Sequence, residues 1–264
     1  MISVTGSATH RQQISNREPV GYMPGSSATD LRSMNAHLPE GRAAKVRHLE
    51  PGESLFLQDD PVDSVYVLRE GWAFLCQDMK DGRRQILDFV LPGDLVGLGV
   101  VEAASYGVET LTACSFASYS RGAFFDSIGR QPALGVSLVR MLAAVEARAL
   151  EHVTSLGRRT ARERTAHLLL ELVKRLKRAD GKVDMKTLDL PLMLSHVADA
   201  LGLASETVCR CLSGLRKDGV LVLRERRLQV LDLDRLAEEA GLSDHDEFEQ
   251  EVPPAGAQIG RAHV

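Results

Sequence analysis

Residues 188–234 constrain this chain most. They read LDLPLMLSHVADALGLASETVCRCLSGLRKDGVLVLRERRLQVLDLD. A helix-turn-helix needs a small residue where its second helix crosses the first, a glycine in the turn, and apolar residues that lock the pair. Ala198 supplies the first and Gly202 follows four residues later. Val197, Leu201, Leu203, Val208 and Cys211 fall at the locking positions. The second helix is expected to start at Ser205, a good N-cap residue, and to end at Lys217-Asp218-Gly219. VLVL, the basic turn RERR and LQVLDL then predict a two-stranded wing.

Within SETVCRCLSG, Glu206, Cys209 and Arg210 share one helix face at i, i+3 and i+4. Val208, Cys211, Leu212 and Leu215 share the opposite face, so Cys211 reads as a small buried hydrophobe. Side chains two positions apart on a helix point about 200° apart, so Cys209 and Cys211 form neither a metal clamp nor a relaxed disulfide. Arg210 suits two hydrogen bonds to guanine O6 and N7, and Glu206 suits cytosine N4, each orienting the other. Ser205 stands at the start of the reading face, short enough for a phosphate contact or a cap. Thr207, Lys217, Arg224, Arg226 and Arg227 are candidates for phosphate contacts, which give affinity without sequence information. Charge distribution agrees. Residues 159–230 hold 15 Lys and Arg against 9 Asp and Glu, although the whole chain carries −4.

The rest of the chain divides by pattern. Residues 1–33 are rich in Ser, Gly, Asn and Thr and read as a flexible arm. From Val46 to Phe125 short apolar or alternating runs are broken by turns: Pro51-Gly52, Glu70-Gly71, a hairpin signal at Asp81-Gly82, and Pro92-Gly93-Asp94. That spacing predicts a β-roll or jelly roll over residues 34–130. From Pro132 the period lengthens, and a helix of about 25 residues is expected over 133–156. Its apolar residues Leu134, Leu138, Met141, Leu142, Val145, Ala149, Val153 and Leu156 are expected to form a dimer interface.

Gly157 is expected to break that helix, closing a dimerisation segment at 131–157. A further helix follows, with a Thr160/Glu163 capping box and an apolar face of Thr165, Leu168, Leu169, Leu172, Val173 and Leu176. It opens a DNA-binding unit over 158–241. The tail, 242–264, reads as disordered, and its last six residues, IGRAHV, resemble translated adapter sequence. The fold class is therefore α+β: a roll, a long helix and a winged helix-turn-helix.

Other classes are excluded on residues. No run approaches the ~20 apolar residues of a membrane span. MISVTGSATH lacks the basic start and apolar core of a secretory signal. Four scattered cysteines make no disulfide framework, which points to a reducing cytoplasm. A jelly-roll metalloenzyme needs several histidines inside the roll, and residues 46–125 hold only His48. The glycine-rich PGDLVGLG lacks a phosphate-loop lysine. No catalytic residue, metal ligand set or enzyme activity is assigned.

Over about residues 40–240 the chain resembles the CRP/FNR family of bacterial transcription regulators. The resemblance rests on PGDLVGL, GRRTARERTAHLLLEL and LGLASETVCRCLSGL. Glu206-Thr207-Val208-Cys209-Arg210 is similar to the E-x-x-S-R signature of the FNR and FixK branches, with Cys209 in place of serine. The resemblance implies a homodimer that contacts RNA polymerase and reads double-stranded DNA at an inverted repeat of the TTGAT-N4-ATCAA type. It implies no cyclic nucleotide, because Leu98 stands where the family's nucleotide-binding branch has Glu, and EAASYGVETLTAC has no Arg. It implies no iron–sulfur centre, because residues 1–75 contain no cysteine. Cys76 and Cys114 lie on predicted strands as core residues. Two modes of control are expected to be open. One is effector-free regulation with oxidation of Cys209 as a redox switch. The other is a haem- or small-molecule-dependent sensor of the same family, for example of nitric oxide or a cyclic nucleotide, with His48, His152 and His167 as the available haem ligands.

Overall fold

The structure is a computed structural model and describes residues 45–99, 103–179 and 187–242. The expected arm at 1–33 and nearly all of the tail lie outside the described residues.

Eight strands build the roll: β1 (Lys45–Leu49), β2 (Ser54–Phe56), β3 (Ser64–Glu70), β4 (Ala73–Asp78), β5 (Arg84–Val90), β6 (Leu95–Val96), β7 (Gly107–Thr110) and β8 (Cys114–Ser120). They form two four-stranded antiparallel sheets, ordered β1-β8-β3-β6 and β2-β7-β4-β5. The Asp81-Gly82 hairpin joins β4 to β5 as expected, with Asp78 opposite Arg84. Glu70-Gly71 instead carries the chain from one sheet to the other. Gly71 has φ +91°, and a Cβ there would meet the Ala113 carbonyl oxygen at 2.3 Å, so only glycine fits the crossing. Between the sheets Phe56 packs on Tyr66 and Tyr106, with ring centroids 6.0 and 5.9 Å away. Cys76 and Cys114 are both buried, as expected.

Residues 121–125 are helical rather than β. They open α1 (Arg121–Arg130), which Ser120 caps through its side chain. Next come α2 (Pro132–Arg158), α3 (Ala161–Ala179), β9 (Thr187–Asp189), α4 (Leu194–Leu201), α5 (Ser205–Lys217), β10 (Leu221–Arg224), β11 (Arg227–Val230) and α6 (Leu233–Glu239). Helix α2 runs through Gly157 instead of breaking there. The site is open, with nothing within 4 Å of a would-be Cβ, and a single glycine costs only about 1 kcal/mol in a 27-residue helix. The capping box at the start of α3 forms as expected: Thr160 N–H donates to Glu163 Oε2 at 2.6 Å, and Glu163 N–H to Thr160 Oγ1 at 3.3 Å.

Helix α2 carries two different apolar faces. Leu134, Leu138 and Met141 are buried against Val65, Val67, Tyr119 and Phe124 of their own chain. Their assignment to a dimer interface is therefore corrected: they belong to the roll's core. Leu142, Val145, Ala149 and Val153 remain exposed, together with Val139 and Leu150. Leu156 is half-buried, near the turn at Gly202.

The C-terminal unit docks on the β2-β7-β4-β5 sheet. Phe74, Ile86, Phe89 and Leu111 of the roll share one apolar cluster with residues of α3, α4 and α5. The His196 ring packs on Phe74 at 5.7 Å, and Gln85 Nε2 donates to the Ala200 carbonyl at 3.0 Å. A charged joint closes the interface. Arg175 of α3 reaches Asp88 Oδ1 at 2.8 Å, Asp94 Oδ2 at 2.7 Å and the Phe89 carbonyl at 2.7 Å. Arg148 of α2 meets Asp88 Oδ2 at 3.1 Å. Glu171 stands 3.6 Å from Arg175 and 3.9 Å from Arg148.

Candidate nucleic-acid interface

The helix-turn-helix closes on the residues the spacing singled out. Gly202 takes the left-handed conformation at the end of α4, φ 60° and ψ 39°, and turns the chain into α5. Val197, Ala198, Leu201, Val208 and Leu215 are buried, while Leu203 and Leu212 are half-buried. Cys211 is half-buried rather than fully buried, because it lies at the margin of the locked face. Ala204, not Ser205, is the N-cap of α5. Ser205 is the first helical residue and makes no capping bond. It is half-exposed at the helix start.

Glu206, Cys209 and Arg210 are all exposed on one side of α5. The same side continues through Ser213, Arg216 and Lys217. Arg216 was legible in the sequence as the next charged position on this face. The expected Glu206–Arg210 partnership is corrected. Among the described residues no ion pair joins them, and Arg210 Nη2 donates to Thr207 Oγ1 at 3.2 Å. That bond lays the guanidinium back along the helix toward its N-terminus.

The wing has three strands rather than two, ordered β10-β11-β9. Strand β9, the LDL segment before the first helix of the motif, pairs with β11 from Arg227 opposite Asp189 to Gln229 opposite Thr187. Arg227 Nε meets Asp189 Oδ1 at 3.0 Å across this pair, with both side chains exposed. The wing turn puts Glu225 and Arg226 at φ 49° and 62°, left-handed values that β-hairpin turns of this length require. Arg224 and Arg226 are exposed. Arg226 also lines a cleft of about 400 Å³ between the wing and the roll, with Glu109, Thr112, Met193 and His196.

His48 lies exposed on β1. His152 and His167 meet at the α2–α3 junction, where Glu151 lies 3.2 Å from His167 Nε2. Burial first, then the Arg159 charge, press the His167 imidazole down to about 4, against the pull of Glu151. Burial lowers His152 and His196 as well. Among the described residues no group of three or more His, Cys, Asp or Glu is placed to hold a metal ion. No described helix is long and apolar enough to cross a membrane.

A β-roll, a long helix with one face free, and a winged helix-turn-helix with its reading face uncovered define a DNA-binding transcription regulator. Comparisons narrow this further. Residues 46–131 match the cyclic nucleotide-binding domain family, and residues 163–239 match the Crp-like helix-turn-helix domain family. The chain is 36% identical to the transcriptional activator protein FnrL of Cereibacter sphaeroides over 201 residues, 74% of this chain and 80% of FnrL. It is 36% identical to the nitrogen fixation regulation protein FixK of Azorhizobium caulinodans over 183 residues, 69% and 73% of the two chains. The solved structure of FixK2 from Bradyrhizobium japonicum superposes with a TM-score of 0.68 at 30% identity, covering 75% of this chain and 97% of FixK2. The chain belongs to the CRP/FNR family, on its FNR/FixK side. It is a regulator and not an enzyme.

Proposed function

We propose that the chain acts in the cytoplasm as a homodimeric activator that reads an inverted repeat of the TTGAT-N4-ATCAA type without a bound effector or prosthetic group. The uncovered reading face of α5 is the observation that carries this. Arg210 reads a guanine and Glu206 its neighbourhood, with Cys209 between them and Ser205 at the helix start. Thr207, Lys217, Arg224, Arg226 and Arg227 hold phosphates. Two such helices enter successive major grooves about 34 Å apart. The exposed α2 residues Val139, Leu142, Ala149 and Val153 support the dimer, because they share one helix face at steps of three, seven and four residues, with the exposed Glu146 between Leu142 and Ala149. Activation is in keeping with the name of FnrL, a transcriptional activator protein, and contact with RNA polymerase is part of this proposal. The aromatic packing of Phe56, Tyr66 and Tyr106 between the sheets supports an effector-free roll.

Cys209 adds redox control in this reading. Its thiol is exposed beside Arg210. Hydrogen peroxide converts an exposed thiolate to a sulfenic acid: the sulfur attacks one oxygen as the O–O bond breaks, and the other leaves as hydroxide, which takes a proton from solvent. The added polar bulk then stands between α5 and the base edges. The test is binding of purified protein to the duplex before and after mild peroxide, repeated with Cys209→Ser. Tight binding that peroxide abolishes and a thiol reductant restores, only when Cys209 is present, is the expected result. Binding indifferent to peroxide removes the switch and leaves the regulator. No binding in either state replaces the effector-free reading with a haem- or small-molecule-dependent sensor.

A further inference from the structure

The charged joint between roll, long helix and head is built from residues other than those of the exposed face of α5. Arg175 is about 10% exposed and holds three acceptors, all of them in the β5 to Asp94 segment of the roll. Asp88 uses its second oxygen for Arg148, which lies on α2. Head, roll and long helix therefore all meet at this charged cluster, beside the apolar contact of head and roll. On α2 this point lies beside Ala149, one of the exposed seam residues, so the joint sits level with the place where a second copy would pack. The chain passes from α2 to the α3–α4–α5 unit through Arg159 and Thr160, and the head also rests on the roll through the apolar cluster around Phe74 and Phe89.

We propose that the Arg148–Asp88–Arg175–Asp94 joint fixes the separation of the two reading helices and thereby selects the number of base pairs between half-sites, with Arg175 as the positioning residue. The inference rests on the homodimer reading above. In the docked head Glu206, Cys209 and Arg210 face outward, and α4 rather than α5 supplies the hydrogen bond and ring contact to the roll. The fastened head is thus competent to read. A domain of this size extends ~20 Å from such a joint, and a tilt of about 10° at that radius moves the reading helix by roughly 3.5 Å, one base-pair step. Charge-assisted bonds in a half-dry interface resist such a tilt better than apolar packing alone, because they are directional. Arg175→Lys keeps the charge and loses the fork that bridges Asp88 to Asp94.

The experiment has two parts and uses the full chain. A spin label on the exposed Cys209 of a Cys211→Ala protein reports the distance between the two reading helices by dipolar spectroscopy without DNA. Binding is then measured on duplexes whose half-sites are separated by three, four, five and six base pairs. The unaltered joint is expected to give a narrow distance distribution and to favour one spacer by on the order of tenfold or more. Arg175→Lys, and the milder Asp94→Asn in case the first variant folds poorly, are expected to broaden the distribution and bring that ratio below about threefold, while discrimination against a substituted guanine within each half-site stays. A variant that keeps the narrow distribution overturns the proposal. So does one that weakens every duplex equally at an unchanged spacer ratio, the signature of a merely structural role. A parent protein with a narrow distribution but no spacer preference overturns it too. A parent protein with no dipolar signal is a monomer, and that outcome removes the dimer reading and the proposal together.

Discussion

Replacing Val153 by Asp separates the two faces of α2. Val153 is 67% exposed in the single chain, at the far end of the Val139–Leu142–Ala149–Val153 seam. Full burial of a Val or Leu side chain stabilises by about 1.5–3 kcal/mol, so covering the two thirds now exposed gains ~1–2 kcal/mol. Two-fold symmetry enters the substitution twice, and the loss becomes about 2–4 kcal/mol before the repulsion of two facing carboxylates is added. The dimer should therefore loosen by roughly 30- to 1,000-fold. Its counterpart is Leu138→Ala. Leu138 is 8% exposed and packs into the cluster of Val65, Tyr119 and Phe124. Its truncation should cost about 2–5 kcal/mol of folding stability and leave the dimer constant of the folded protein nearly untouched. Sedimentation velocity over a dilution series gives the dimer constant, and thermal unfolding at fixed high concentration gives the stability. The reasoning fails if Val153→Asp dimerises within threefold of the parent, or if Leu138→Ala loosens the dimer as much as Val153→Asp does.

Arg210→Ala should cost about 1–3 kcal/mol of DNA binding and relax preference at one guanine per half-site; a competition series over all four bases there checks it, and uniform weakening on every sequence speaks against base reading. Lys217→Ala and Arg224→Ala should weaken all duplexes alike, each removing one phosphate contact per protomer and so lowering the slope of log affinity against log salt by about 1.8 for the dimer, measured by titration at several salt concentrations. Glu171→Gln should change the pH dependence of stability. Burial first, then the Asp88 carboxylate, push the Glu171 carboxyl up to about 7, against Arg175 and Arg148. Between 4.5 and 7 the folded chain keeps a proton that the unfolded chain has lost, so this group's contribution is fully present below 4.5 and is lost as pH rises through 7. Gln keeps the neutral form, and the variant should be more stable than the parent at pH 8, by on the order of 1–3 kcal/mol, with the difference gone near pH 4.5. The depressed histidines act in the opposite sense over much of this window but are common to both proteins. Urea unfolding at pH 4.5, 6 and 8 reads the difference directly, and equal stability at all three removes Glu171 from the joint's electrostatics.

The local signals proved legible where one short stretch decides its own structure. Gly202 four residues after Ala198, the Thr160/Glu163 box and the Asp81-Gly82 turn are all interactions within a few residues, and all appear as read. Helix α2 shows the limit. Its apolar residues recur on two faces roughly a third of a turn apart, and periodicity records that both are apolar without saying which meets the chain's own roll. Leu134, Leu138 and Met141 were thus grouped with Leu142 and Val153, although the roll had claimed them. Strand β9 escaped notice because three residues carry too short an alternation, and its pairing with β11 is a contact across 38 positions. Arg175 escaped for the same reason. In the sequence it is one of several cations at a helix end, a solvated position by default. Only the fold brings Asp88 and Asp94 to it from more than 80 residues away.

These placements make α2 the element on which the regulator's geometry depends. One face is consumed by the roll, a second is exposed, and Arg148 pairs with Asp88 of the roll at 3.1 Å and stands 3.9 Å from Glu171 of the head. This arrangement predicts where function is lost without loss of folding. Substitutions on the reading face change which bases are preferred, and substitutions on the seam change whether two heads act together. Substitutions at the joint change only how far apart they act. The three classes are separable by base preference, dimer constant and spacer preference, and a joint variant that altered base preference instead would show that Arg175 shapes α5 itself rather than its position.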